Sequence, residues 1–184
     1  MVDTYAGITV ENAVRALIAH MGDNPERDGL KDTPKRVAKM LWELAHREEF
    51  AFTSFDAEGT SEMVVQSNIP FHSLCEHHML PFMGTASVAY IPSGKIVGLS
   101  KLTRAVHYCA SGLQNQERIT RAVADMLEEH LHPAGVGVVL RARHLCMELR
   151  GVHAANVWTT TSDLRGAIFE KPEARAEFLA LARG

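Results

Sequence analysis

Apolar residues recur every three to four positions in some stretches and every second position in others, and the two periods divide the chain into elements. After Thr9, a capping residue, Val14, Leu17, Ile18 and Met21 keep helical spacing until Gly22. That predicts one helix, with a loose arm over residues 1–8 before it. Asp23-Asn24-Pro25 and Asp28-Gly29 are turn chemistry. Thr33 then caps a second helix, with Pro34 at its first position and Val37, Met40, Leu41 and Leu44 on its apolar side. From Ser61 the period changes: Met63–Gln66 and Ala86–Ile91 read as strands, the second stopped by Pro92-Ser93-Gly94. The stretch between them, Ser73 to Pro81, falls in a long connection.

Ser100 is placed to cap a helix carrying Leu102, Val106 and Cys109 and closing at Gly112. Another helix is predicted from about Asn115 to His130, with Ile119, Val123, Met126, Leu127 and Leu131 on its apolar side. Val136 to Leu149 is the longest strand candidate, and alternation sets Val138, Leu140, Ala142, His144, Cys146 and Glu148 on one face. Thr159–Ser162 adds a β-branched strand, and Pro172 opens a last helix with Phe178, Leu179 and Leu181. Helix pair, two strands, helix pair, two strands and helix make an α+β pattern with a mainly antiparallel sheet of about four strands. The N-terminal helical pair forms an arm, 1–55, ahead of a main domain, 56–184.

With 184 residues, 46% of them hydrophobic and 22% charged, the chain has the composition of a soluble globular protein with a sizeable core. A net charge of −3 argues against a general nucleic-acid or membrane-surface binder, so an anionic substrate must meet a local basic cluster. No apolar run approaches the ~18 residues of a membrane span. Three cysteines cannot all pair, which points to a reducing, cytoplasmic setting.

The candidate chemistry sits in Ser73-Leu74-Cys75-Glu76-His77-His78-Met79-Leu80-Pro81 and in His144-Leu145-Cys146. Cys75, His78 and Cys146 are a thiolate–imidazole–thiolate set of zinc type, and three protein ligands leave a fourth position to water, as in catalytic rather than structural zinc sites. His77 and His144 each neighbour a ligand without being needed as one, and an imidazole with pKa near ~6.5 suits proton transfer there. Lys101 and Arg104 stand one turn apart beside a helix start, which fits either a solvated helix face or a phosphate site that Arg150 joins. Glu117, by position alone, is an ordinary first-turn carboxylate.

Taken together, Cys75-Glu76-His77-His78, Gly98-Leu99-Ser100-Lys101-Leu102-Thr103-Arg104, Leu113-Gln114-Asn115-Gln116-Glu117-Arg118-Ile119-Thr120 and His144-Leu145-Cys146-Met147-Glu148-Leu149-Arg150-Gly151-Val152 closely resemble GTP cyclohydrolase I of the zinc-dependent type. The resemblance runs on through Gly29–Val37 and Glu177-Phe178-Leu179. It implies a tunnelling fold, an antiparallel sheet with helices on one side, that assembles into a homo-oligomeric toroid, a decamer of two pentameric rings. It also implies conversion of GTP to 7,8-dihydroneopterin triphosphate with release of formate. On that basis Cys75, His78 and Cys146 hold Zn²⁺, whose water attacks C8 of the purine. His144 protonates the imidazole ring nitrogen, His77 helps open the ribose and Ser100 assists the later rearrangement. Lys101, Arg104 and Arg150 bind the triphosphate, while Glu117, with Gln116 beside it, holds the guanine. Asn115 stands where the family usually has valine, and Val157-Trp158 replaces what is often serine followed by a small or polar residue. A non-catalytic zinc-stabilised binding module is the competing reading, which leaves His77 and His144 without a purpose. A nucleobase deaminase would need a Pro-Cys-x-x-Cys segment that is absent.

Overall fold

The computed structural model describes residues 4–183. The chain divides into two compact units after His46. In the first, residues expected to form a loose arm instead make a small ribbon, β1 (Thr4–Tyr5) against β2 (Ile8–Thr9). Ala6 and Gly7 both adopt positive φ, 51° and 77°, the backbone that a two-residue hairpin turn requires. Residues 1–3 lie outside the described part. Helix α1 (Val10–His20) starts as expected, with Thr9 accepting from the Asn12 N–H. Helix α2 (Thr33–Ala45) starts one residue early. The Thr33 N–H already bonds Leu30 O, so Asp32 takes the cap position without a side-chain bond.

In the second unit a short pair, β3 (Ser54–Asp56) with β6 (Lys95–Val97), flanks the main sheet. The main strands are β4 (Val64–Cys75), β5 (Pro81–Ile91), β7 (Leu113–Gln114), β8 (Gly135–His144) and β9 (Thr159–Gly166). Their spatial order is β7-β4-β5-β8-β9, antiparallel except for the β7–β4 pair. The sheet is therefore five-stranded and mixed, where about four antiparallel strands were expected. The extra strand is two residues long, too short to carry a period. β4 and β5 also run far beyond their expected ends, because pairing from Val64↔Tyr90 to Leu74↔Pro81 extends through polar and small residues that alternation alone does not mark. The expected long loop is thus a tight turn over residues 76–80. Gly84 is required where β5 meets β8: a Cβ there would stand 1.9 Å from the Arg141 carbonyl oxygen.

Helices α3 (Leu99–Ala110) and α4 (Gln116–Leu131) cover one face. Leu102, Val106, Ile119, Val123 and Leu127 are wholly buried against Phe82, Ala86, Val88, Val138 and Leu140. Each such side chain contributes about 1.5–3 kcal/mol, which decides the matter for helices of marginal stability alone. Helices were expected on this side only, but α6 (Ala167–Glu170) and α7 (Pro172–Leu181) cover part of the other face, packing Ile168 and Phe178 against Ala89. The sheet is apolar on both faces at that end, so both need cover. Among the described residues no helix is long and apolar enough to cross a membrane.

Candidate active site

Cys75 closes β4, held between Leu74↔Pro81 on one side and its own pairing with Gln114 on the other. The chain then reverses. Cys75 N–H donates to Leu80 O (2.9 Å) and Met79 N–H to Cys75 O (2.8 Å), and Met79 takes φ 55° to complete the turn. This folds His78 back so that its Nδ1 lies 4.0 Å from Cys75 Sγ. Arg150 donates to the other nitrogen, Nε2, at 2.9 Å, a contact that places the ring proton on Nδ1 and that metal binding at Nδ1 would have to break.

Cys146 reaches the same place by a route other than the one alternation predicts. β8 ends at His144, opposite Phe82, because β5 begins at Pro81 and offers almost no further partner. The chain winds into a short helix, α5 (Leu145–Glu148), braced by the Arg143–Glu148 pair (2.6 Å). His144 and Cys146 therefore do not share a strand face. The ligand atoms of Cys75, His78 and Cys146 nevertheless all lie within 4.8 Å of one another. All three cysteines are free. Two sulfurs and an imidazole nitrogen, drawn from two segments, suit a borderline-soft divalent ion of the zinc type. Burial, then the facing Cys75 thiol, push the Cys146 thiol up. A cation between the sulfurs removes that penalty.

His144 is held by a buried amide. Its Nε2 lies 2.8 Å from Gln116 Oε1, while Gln116 Nε2 donates to Leu140 O, Thr159 O and Thr161 Oγ1, each at 3.1 Å. Those partners orient the amide, so Oε1 must accept from an Nε2–H of His144. The ring also stacks on Phe82 (centroids 4.7 Å apart, planes 4° off parallel). Burial lowers the His144 pKa, with nearby Glu117 opposing it. His77 is exposed, its Nδ1 3.7 Å from Cys75 Sγ. Glu117 is exposed in the first turn of α4.

Of the residues singled out in the sequence, Cys75, His77, His78, Gln116, Glu117, His144, Cys146 and Arg150 are brought to this end of the sheet. Gln116 differs from the expectation in kind: it is 1% exposed and its amide is fully engaged within the protein. Ser100, Lys101 and Arg104 lie elsewhere. Gly98, not Ser100, takes the α3 cap position. The helix starts near Gln66 (Thr103–Gln66, 3.2 Å) and ends near Ser73 (Ser73 Oγ to Ala110 O, 2.5 Å). Lys101 thus stands about 14 Å of helix rise from the α3 end nearest Cys75. Alternation and spacing give no sign of Asn115, Glu76 and Arg118 as a linked group, although an asparagine just before a helical Gln-Glu is a cap signal.

A protein-family model described as GTP cyclohydrolase I matches residues 10–183. The "GTP cyclohydrolase 1" of Aquifex aeolicus is 48% identical over 176 residues, 95% of this chain and 96% of that protein. That of Streptococcus thermophilus is 49% identical over 179 residues, 95% and 96% of the two chains, and that of Brevibacillus brevis 48% over 179 residues, with the same coverage. With a match running nearly from end to end, and with the Cys–His–Cys cluster assembled as described, the chain belongs to the GTP cyclohydrolase I family of enzymes.

Proposed function

We propose that this enzyme converts GTP and water to 7,8-dihydroneopterin triphosphate and formate, the first step of pterin- and folate-type biosynthesis, in the cytoplasm and on a tunnelling fold. The observation that carries the reading is the convergence of the Cys75, His78 and Cys146 ligand atoms within 4.8 Å, beside a histidine locked by Gln116. Zinc bound there supplies a Lewis acid that makes water nucleophilic near neutral pH. The chain's own groups do the rest. Because Gln116 occupies Nε2–H, Nδ1 is the His144 atom that exchanges protons, and it delivers one to the imidazole nitrogen of the purine as the ring opens. His77, exposed on the metal turn, serves the ribose opening, and Ser100 the later rearrangement. Glu117 accepts from guanine N1–H and the 2-amino group.

Lys101 and Arg104 have no ion pair among the described residues and sit toward the other end of α3. They therefore bind the triphosphate of a site whose zinc belongs to a neighbouring subunit, with Arg150 meeting it from the zinc side. That arrangement requires a homo-oligomer, in this proposal the decamer of two pentameric rings that the family resemblance implies, with sheet edges paired between subunits. Exposed Leu17 (58%) and Met21 (74%) on α1 are further surface that assembly would cover. The test is direct: zinc-loaded protein is incubated with GTP, and formate and oxidised fluorescent pterin are measured. Stoichiometric zinc with neither product overturns the reading.

A further inference from the structure

Glu76 lies between the two halves of the site, next to Cys75, and three links tie it to the start of α4. Its backbone N–H donates to Gln114 O at 2.9 Å. Its Oε1 accepts from Asn115 Nδ2 at 2.8 Å, and its Oε2 from Arg118 at 2.6 Å. Asn115 in turn caps α4, its Oδ1 accepting from the Arg118 N–H at 2.8 Å. The ring Glu76–Asn115–Arg118 is closed, and it uses both ends of one amide. The next residue, Gln116, is the one that holds His144. A covalent and hydrogen-bonded path therefore runs Cys75, Glu76, Asn115, Gln116, His144.

We propose that Asn115 is a positioning residue that sets the metal-binding turn against His144, by gripping Glu76 with its amide nitrogen while its amide oxygen caps α4. This rests on the proposed reaction for its kinetic arm only. Few side chains can do both jobs. Aspartate would cap α4 equally well but would set a carboxylate against that of Glu76. Serine would cap without reaching across, and an aliphatic residue would do neither. The side chain thus couples helix stability to site geometry, and the two effects are separable by substitution.

The experiment compares Asn115→Ala, Asn115→Asp and the double variant Asn115→Asp/Glu76→Gln, each oligomeric and loaded with cobalt(II) in place of zinc for spectroscopy. In the double variant the amide introduced at position 76 donates to the carboxylate introduced at position 115, while its oxygen still accepts from Arg118. The ring then re-forms with its polarity reversed. Asn115→Asp is expected to keep a melting temperature within about 2–4 °C of wild type, the shift of a small local change in a chain of this size. Its cobalt spectrum should change, and its kcat should fall roughly tenfold or more with little change in KM, as for a small misplacement of reacting groups. The double variant should recover the wild-type spectrum and kcat to within about threefold, whereas Asn115→Ala recovers neither and also melts lower. A wild-type spectrum and kcat in Asn115→Asp, or no recovery in the double variant, overturns the proposal. If the wild-type protein turned over no GTP, the reaction assigned above would fall, and the cobalt spectra would still decide the role of Asn115.

Discussion

His144 Nε2 and Gln116 Oε1 are 2.8 Å apart, and the nitrogen end of the Gln116 amide is spent on Leu140 O, Thr159 O and Thr161 Oγ1. The amide cannot flip without facing two carbonyls with its oxygen, so the tautomer of His144 is set by the β8–β9 backbone. Gln116→Leu is expected to lose about 1–3 kcal/mol of stability through unsatisfied carbonyls and to lower turnover roughly 10²-fold as His144 loses its fixed tautomer. Denaturant melts, kcat and the ¹⁵N shifts of His144 report these effects. An unchanged kcat with Nε2 still protonated would make the contact incidental to catalysis.

Cys75→Ser, His78→Ala and Cys146→Ser should each lose bound zinc and turnover together while the oligomer persists, since the three ligand atoms form one cluster. Arg150→Ala keeps all three ligands but frees His78 Nε2. An Nε2 that accepts from Arg150 keeps the ring proton on Nδ1, so zinc affinity in this variant should hold or rise, as read by chelator competition. Full metal content in Cys146→Ser would move the site elsewhere.

Because Lys101 lies toward the far end of α3 from Cys75, Lys101→Ala and Cys146→Ser should complement each other. Each variant alone should be inactive. Co-expressed in mixed oligomers, about a quarter of the sites draw a wild-type residue from each subunit. Activity of the mixture near that fraction is expected, and none if every site is built from one chain.

If Glu117 reads guanine as proposed, it carries the choice of base. A carboxylate facing guanine N1–H and the 2-amino group faces an acceptor in adenine, a mismatch that costs roughly 10⁴–10⁵-fold. ATP should therefore not turn over. Glu117→Gln should lose most GTP activity, since its amide turns one acceptor into a donor. Rates for GTP, ITP and ATP in both proteins check this, and an unchanged preference in the variant would remove Glu117 from base recognition.

In the helical pair the Asp23 carboxyl is held at about 2, against an ordinary 3.8, chiefly by hydrogen bonds from Arg27 and then by the Asn24 N–H. A depressed carboxylate stabilises the fold fully above its unfolded value. That contribution declines as pH falls from 3.8 toward about 2. The Asp23 carboxyl ¹³C titration should show the low midpoint, and Arg27→Ala should move it back toward 3.8.

Local chemistry was enough for much of this protein. Helices α1, α3, α4 and α7 could be read from apolar spacing and from Thr9, Asn115 and Pro172 at their starts, because capping and amphipathic burial act within a few residues. Cys75, His78 and Cys146 could be picked out as a metal set because few other residue types bind such an ion. Tertiary pairing decided the rest. β4 runs on to Cys75 only because β5 supplies partners along its length, and β8 stops at His144 only because β5 has ended, which turns Cys146 onto a helix. No period encodes a strand as short as β7. The link from Gln116 to His144 spans 28 positions and that from Asn115 to Glu76 spans 39. Hydrogen bonds of that kind depend on which segments meet, and the folding of the sheet brings those segments together.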